Sequence, residues 1–366
     1  MVDYLFFIMA KSSKKLKIIL LNPYLGLGGT EKIISYFFKF LKNFDTKIVI
    51  FNKKNSFFDI LINKKKIIDL NVNRARYSLW KLWINLKKEK PQIIFSNQRE
   101  MNIVICILNF FFNFKSTVVI REAAPIDIYL KNNFSSKIYL TILKILYKKS
   151  DGIIFNSEYT KKSFLDKGFV FKKHNIIYNP LINNSIKINF KKELKKKTFI
   201  TCSRLDSQKN LFELIKIFQK YSIRNKNCKL MIVGDGNLYN NIKLEIKKIK
   251  YSKKILLLEK THEIEKYFKL ADYYISCSKS EGFGNTYLEA LACNLPVISF
   301  NNGGIKSIIK KSFHGQIVNN KNYFNFISGI SMVNKRKFHI LYPSLKRFDK
   351  DFIFTKYLEF IISCKK

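Results

Sequence analysis

Histidine is scarce in this chain: four occur in 366 residues. They are His174, His262, His314 and His339; they form no cluster, and none precedes position 174. The six cysteines, Cys106, Cys202, Cys228, Cys277, Cys293 and Cys364, are scattered without a C-x-x-C or other metal spacing. Several lie inside apolar runs, which reads as buried free thiols in a reducing cytosol. A zinc or di-iron centre is therefore not expected. Long apolar runs are also missing. Met1 to Ala10 is far short of the ~20 residues that span a bilayer. Its basic flank, Lys11 to Lys17, follows the apolar run, the reverse of a signal peptide. Ile103 to Phe114 is about a dozen residues, the length of a core or interfacial segment. The expected state is soluble or peripheral, in the cytoplasm.

Acidic residues are few as well. Asp and Glu total 26 against 68 Lys and Arg, giving a net charge of +42. Such a surplus invites a nucleic-acid reading, and a segment such as Lys191–Lys197 would bind phosphates if presented on one face. However, the lysines are spread along the chain among abundant Ile, Asn and Phe, the bias of an AT-rich coding genome. No DNA- or RNA-binding motif accompanies them. A basic surface would also suit an anionic membrane surface or a diphosphate-linked acceptor.

What the chain does have is regular alternation of apolar strand-like runs with helical stretches. Leu16–Leu21, Lys47–Phe51, Ile67–Leu70, Gln92–Phe95, Thr117–Arg121, Gly152–Phe155 and Asn175–Tyr178 read as strands, and Thr30–Leu41 as a helix. After Pro180 the segment to Lys197 is polar and lysine-rich, without periodicity. The pattern restarts with Thr198–Cys202, Leu230–Val233, Ile255–Leu258, Tyr273–Ser276, Val297–Ser299 and Gln316–Val318. Strand–helix alternation of this kind predicts an α/β protein with doubly wound parallel sheets. The expected domains are 1–183, a linker at 184–197, 198–340, and a terminal segment 341–366 carrying an apolar-patterned helix over Phe348–Cys364.

The most informative stretch is Ser280-Glu-Gly-Phe-Gly-Asn-Thr-Tyr-Leu-Glu-Ala290. It sets Glu281 and Glu289 eight residues apart around a glycine turn and a helix start. Upstream lies a strand; downstream Thr286–Cys293 reads as a helix, with Asn294 as a left-handed cap. The loop therefore sits at a carboxyl-end edge of the sheet, where open α/β sheets bind ligands. Backbone N–H groups around Gly282, Gly284 and the helix start suit phosphate oxygens. Glu289 can accept hydrogen bonds from vicinal hydroxyls, and Glu281 can face a second ring. The plainer reading leaves Glu281 solvated and Glu289 as a helix-favouring carboxylate.

Glu281 to Glu289 with Gly-Phe-Gly-Asn between, then Glu-Ala-Leu-Ala-Cys and Pro-Val-Ile, resembles the retaining GT-B glycosyltransferases of the family-4 (group 1) type. The resemblance runs through most of the chain in the family's order: Asn22–Glu31, Asp151–Glu158, Ile176–Pro180, Ser203–Asn210 and Ile232–Gly236. It implies GT-B architecture, two Rossmann-like domains facing a central cleft. The first would serve the acceptor, the second the nucleotide sugar, with the terminal helix returning to the first. It also implies that Arg204 and Lys209 contact the donor diphosphate, where fixed cations stabilise the charge that grows on the leaving phosphate. Ser203 stands where relatives often carry glycine.

Other groups are less specific. Gly26-Leu-Gly28-Gly29 follows the first strand but lacks G-x-G-x-x-G spacing, so it argues poorly for NAD. It reads either as a tight turn or, on the resemblance, as a loop approaching a diphosphate or acceptor, with Gly28 and Gly29 preferred. Arg121-Glu122 ends a strand where many relatives carry a histidine. Glu122 replaces that histidine toward sugar or acceptor, or forms a structural pair with Arg121. Asp349-Lys-Asp351 is a D-x-D at a helix start, read as an acidic helix terminus rather than a metal site.

The function expected is transfer of a sugar, with retention and without metal or other cofactor, from a nucleotide sugar to a glycan or lipid-linked acceptor. Bacterial surface-polysaccharide assembly (lipopolysaccharide, O-antigen or capsule) is the setting, on the inner face of the cytoplasmic membrane. Arg204, Lys209 and Glu281 would act at the reacting centre; Gly282, Phe283, Gly284, Asn285, Thr286 and Glu289 would hold the donor. Alternatives are a nucleotide-sugar epimerase of the same architecture and a basic nucleic-acid-binding protein; no specific nucleic-acid partner is expected.

Overall fold

The computed structural model describes residues 16–365 except 54–55, 58–61, 131–132, 183–196, 262, 320–321 and 335–341. The apolar segment 1–10, the expected linker up to 196, His262 and His339 thus lie outside the described residues. The chain divides into two units, one of Met1–Ile182 with Phe348–Lys366 and one of Asn183–Arg347.

The first unit is built on seven parallel strands: β1 Lys17–Leu21, β2 Asp45–Ile50, β3 Ile67–Asp69, β4 Ile93–Asn97, β5 Thr117–Glu122, β6 Gly152–Phe155 and β7 His174–Ile176. Their order is β3-β2-β1-β4-β5-β6-β7. Side chains alternate between faces along a strand, and both faces are covered. Ile18, Leu20, Ile48, Ile93 and Phe95 pack under α1 (Gly29–Phe40) and the terminal helix (Lys350–Ser363). Ile19, Leu21, Val49, Ile94 and Ile120 pack under α2 (Ser78–Glu89), α3 (Arg99–Phe112), α4 (Phe134–Tyr147) and α5 (Glu158–Leu165). Burial on both faces is why these strands read as continuous apolar runs rather than alternating ones.

The terminal helix earns its place by apolar spacing. Phe354, Tyr357, Leu358 and Ile361 recur at three- and four-residue intervals and are buried. Phe354 and Tyr357 lie 5.4 and 5.5 Å from the Phe37 ring of α1. Asp349 caps this helix, its Oδ1 accepting from the N–H groups of Asp351 and Phe352 at 3.0 Å each. The D-x-D is accordingly a helix cap.

The second unit has six parallel strands: β8 Lys197–Cys202, β9 Cys228–Val233, β10 Ile255–Leu258, β11 Tyr273–Ser276, β12 Val297–Phe300 and β13 Gly315–Val318. Their order is β10-β9-β8-β11-β12-β13. Leu214, Ile217 and Phe218 of α6 (Leu211–Arg224), Ile242 of α7 (Tyr239–Lys248) and Phe326 of α10 (Tyr323–Asn334) close one face. The short α8 (Ile264–Phe268) and α9 (Asn285–Ala292) complete the helices described. Numbering in chain order makes the terminal helix α11.

Candidate active site

In the second unit the strand order reverses between β8 and β11, so the loops after these two neighbours diverge and leave a crevice at their carboxyl ends. Those are the loops that carry Arg204, Lys209 and Glu281. Three contacts join them. Lys279 N–H donates to Gln208 O at 2.9 Å, Gln208 Nε2 donates to Ser280 O at 2.6 Å, and Lys209 Nζ lies 2.6 Å from Glu281 Oε1. Both side chains of that ion pair are largely shielded, 14% and 15% exposed, so the interaction is stronger than a surface pair.

Lys209 is placed by local chemistry. Asp206 caps a short 3-10 turn, Ser207–Lys209, accepting from Gln208 N–H at 3.0 Å and Lys209 N–H at 3.3 Å. Asn210 then takes a left-handed conformation, φ 54°, which lets α6 start at a new angle. Arg204 behaves differently: its side chain is 75% exposed, with Nε 3.5 Å from Asp206 Oδ2. A guanidinium so placed has reach, and its loop is nevertheless anchored. Leu205 N–H donates to Asp235 O at 2.9 Å, and Leu238 N–H donates to Leu205 O at 3.0 Å. Gly236 permits this approach, since a Cβ there would stand 2.6 Å from Leu205 O.

Glu281 is held from a third side. Its N–H donates to Asn302 O and its carbonyl accepts from Gly304 N–H, each at 3.0 Å. A Cβ on Gly304 would stand 2.5 Å from Glu281 O, so the loop after β12 can lie this close only with glycine. Gly284 adopts φ 93° immediately before α9, a left-handed conformation that glycine takes without cost. Below the turn, Tyr287 is buried; its hydroxyl accepts from Asn302 Nδ2 at 2.7 Å and sits 3.0 Å from Ser276 Oγ. The Tyr274 hydroxyl lies 2.9 Å from Thr286 Oγ1 and 3.0 Å from Cys202 O, joining the α9 start to the end of β8.

Glu289 lies one turn into α9. Burial first, then the negative charge of Glu289, push the Cys202 thiol up to about 12. The carboxylate is thus within electrostatic reach of the end of β8. Gly282, Gly284, Asn285 and Thr286 form the turn and the start of α9, whose dipole presents its positive end there. Phe283 is corrected in one respect: its side chain is 1% exposed, so only its backbone can face a ligand. The sequence reading missed Gln208, Asn302 and Gly304, which clamp the loops. Asn-Asn-Gly-Gly directly after the β12 run was the available signal for the last two.

In the first unit, Gly28 precedes α1 with no side-chain cap, and Gly29 opens the helix. The Glu31 carboxylate fills the space a Cβ on Gly28 would take, and it accepts from Thr30 Oγ1 at 2.8 Å. A negative group in the first turn favours hydroxyls over a second anion there. Gln98 Nε2 donates to the same Thr30 Oγ1 at 2.9 Å, from a backbone at φ 74°. These two loops follow β1 and β4, where this unit's own strand order reverses.

Glu122 does not face an acceptor. Its residue is 1% exposed, and both oxygens are engaged: Oε2 with Arg99 Nη2 at 2.8 Å, Oε1 with Asn102 Nδ2 at 2.9 Å and with the Tyr147 hydroxyl. Burial, then the charge of Glu122, hold the Tyr147 hydroxyl well above its usual range, so it stays protonated and donates. Arg121 is not its partner, because adjacent strand residues point to opposite faces. The Arg121 guanidinium is fully buried on the α11 side, donating to Asn97, Asn179 and the Tyr357 hydroxyl.

Comparison with known proteins fits this geometry. Residues 183–344 match the family model described as glycosyl transferases group 1. The chain is 26% identical to a Campylobacter jejuni N-acetylgalactosamine-N,N'-diacetylbacillosaminyl-diphospho-undecaprenol 4-alpha-N-acetylgalactosaminyltransferase, over 92% of this chain and 97% of that one. It is also 26% identical to the Escherichia coli UDP-Gal:alpha-D-GlcNAc-diphosphoundecaprenol alpha-1,3-galactosyltransferase, over 72% and 71%. Among solved structures, Anabaena HepE in complex with UDP-glucose superposes with a TM-score of 0.77 at 17% identity, covering 95% of this chain and 100% of that one. The lipopolysaccharide outer core galactosyltransferase WaaB superposes at 0.75 with 18% identity, over 95% and 99%. The fold is GT-B: two parallel-sheet, Rossmann-like domains. The chain is a glycosyltransferase whose second unit carries the group 1 match, which sets aside the epimerase and nucleic-acid-binding alternatives.

Proposed function

We propose that this enzyme transfers a sugar, with retention, from a nucleotide sugar to a hydroxyl of a lipid-linked or glycan acceptor. The setting is bacterial surface-polysaccharide assembly at the inner face of the cytoplasmic membrane. The observation that carries the donor site is the Lys209–Glu281 contact, made where two loops meet at the strand-order reversal. The acceptor class is supported by similarity to two relatives whose names specify diphospho-undecaprenol-linked sugars.

In this reading Arg204 and Lys209 receive the diphosphate, and the charge that builds on the leaving β-phosphate meets cations already in place. Glu281 orients Lys209 and accepts hydrogen bonds from the sugar. The backbone from Gly282 to Thr286 and the start of α9 take phosphate oxygens, and Glu289 accepts from the ribose hydroxyls. The leaving phosphate oxygen takes the acceptor proton on the face it departs from, so retention needs no protein base. Gly28 and Gly29 line the acceptor side. No metal is needed because the two cations supply the charge.

The test has two stages. A panel of nucleotide sugars is screened for the one that raises the melting temperature, since a ligand that binds only the folded state stabilises it. That donor is then used in a transfer assay with lipid-linked acceptors in EDTA. Stabilisation by one donor class and turnover in EDTA are expected. No stabilisation by any donor would overturn the site, and a strict manganese requirement would overturn the metal-free mechanism.

A further inference from the structure

The helices α2, α3 and α4 cover one face of the first unit's sheet, and their outward sides carry apolar side chains where a solvated helix layer carries polar ones. On α2, Trp80 (63% exposed) and Ile84 stand outward one turn apart. The end of α3 presents Phe110, Phe111 and Phe112, with Phe111 72% exposed. On α4, Phe134, Ile138, Ile142 and Ile145 form a stripe along the whole helix, beginning with Phe134 at 76% exposure. These helices adjoin: Trp83 of α2 lies 5.1 Å from the Phe112 ring of α3, and Lys149, just past α4, places Nζ 5.3 Å from the Phe110 ring. The apolar area is therefore shared by neighbouring helices rather than scattered.

Charge tells what this surface fits. From Phe134 to Lys149 there are lysines at 137, 144, 148 and 149 and no acidic residue. On α2, Lys81, Lys87 and Lys88 are outward, and the one acidic residue, Glu89, is engaged by Lys17 at 2.7 Å and Lys47 at 2.6 Å. Lys87 lies over the Trp83 ring at 4.7 Å, its stem along the apolar surface and its ammonium at the edge. Apolar side chains ringed by outward lysines match the acyl boundary and the anionic headgroups of a bilayer. A second copy of this surface would set lysines against lysines. No helix among the described residues is long and apolar enough to cross a membrane, so the surface would lie on one.

We propose that the outward surface of α2, α3 and α4 is a docking face for an anionic lipid bilayer. It takes up the membrane-peripheral part of the function proposed above and rests on that reading for its purpose. Its test does not use transfer. Trp80 and Trp83 are the chain's two tryptophans, and both belong to α2. Intrinsic fluorescence of the full chain therefore reports this face without any substitution.

The chain is mixed with vesicles of phosphatidylcholine alone, or of phosphatidylcholine and phosphatidylglycerol in equal parts. With the anionic vesicles the expected result is co-sedimentation, a blue shift of tryptophan emission and quenching by lipid-borne nitroxide. Neutral vesicles should give little of any of these, and added salt should weaken the binding. Phe111→Ser combined with Ile138→Ser should weaken partitioning on the order of tenfold or more, because each side chain would lose its apolar burial. Both positions are exposed, so the melting temperature should not move. Leu244→Ser, at an exposed position on α7, should bind as the parent does. Equal binding to both vesicle types, or to neither, overturns the proposal, as does an unchanged partition in the double variant. A lipid-free dimer abolished by the same double variant also overturns it, in favour of a self-association face. Lost vesicle binding with donor stabilisation intact would sink the docking face and leave the transferase reading standing.

Discussion

Glu122→Ala separates two roles that one carboxylate could have. The side chains of Glu122 and Arg99 are 2% and 4% exposed, and they form an ion pair at 2.8 Å. Removing one partner of a buried pair typically costs about 3–5 kcal/mol, because the other charge is left without compensation. Arg99 would keep Tyr129, whose ring lies 3.8 Å from the guanidinium carbon, and Ala124 O at 3.1 Å. Those contacts do not replace the carboxylate. The unit has about 200 residues, and domains of that size lose roughly 2–4 °C per kcal/mol. The expected fall in melting temperature is therefore about 6–20 °C. Arg99→Met should cost a similar amount. The double variant Glu122→Leu with Arg99→Met should be less destabilised than the two single changes added, since no unpaired charge remains. Calorimetry on the full chain reads all three. An unchanged melting temperature in Glu122→Ala, with transfer abolished, would refute the structural assignment and return Glu122 to the reacting centre.

Two further outcomes follow from the second unit. Gly304→Val would drive a side chain into the Glu281–Gly282 backbone, 2.5 Å from Glu281 O. Transfer should fall about a hundredfold from a displacement near 1 Å, measured as kcat/KM; unchanged kinetics would mean the clamp is not needed. His314 is buried, with Nε2 2.7 Å from Ser344 Oγ, and burial, Arg347 and Lys311 hold its pKa down to about 4 from an ordinary 6.5. The unfolded chain therefore takes up this proton first, so the contribution to stability is complete above pH 6.5 and is lost as pH falls toward 4. Melting temperatures followed from pH 7 to 4 should show that decline, and His314→Gln should remove its share of it.

The central strands, such as β1, β4, β5, β11 and β12, were legible because they are buried on both faces of a parallel sheet. Runs such as Ile-Ile-Leu-Leu before Asn22 and Leu-Met-Ile-Val before Gly234 need no alternation to be read. Asn294 was legible as a helix stop, and it adopts φ 61°. The joining of Lys209 to Glu281 was implied by the family's order of motifs, but 72 residues separate them, and only the strand order brings them together. Glu122 misled because a carboxylate at a strand's carboxyl end looks the same in sequence whether it faces solvent or a buried arginine. The decisive partner, Arg99, lies 23 residues earlier at the start of α3 and carried no motif. Phe283 misled differently: it sits inside a ligand-binding pattern, yet its ring fills the core beneath the turn. The docking face was visible only as composition, a basic surplus that could suit a membrane; which lysines and apolar side chains share a surface emerged only once the buried sides of α2, α3 and α4 were known.

The most direct test of the account is transfer by Lys209→Ala and Glu281→Ala with the donor found by thermal shift. The Lys209–Glu281 contact is the hinge of the proposed donor site. Both variants should keep the parent's fold, and each should lose about 100- to 1,000-fold in kcat, the scale for removing one preorganised charge partner at a reacting centre. Near-parental transfer in either variant would contradict the central claim and place the donor elsewhere in the second unit.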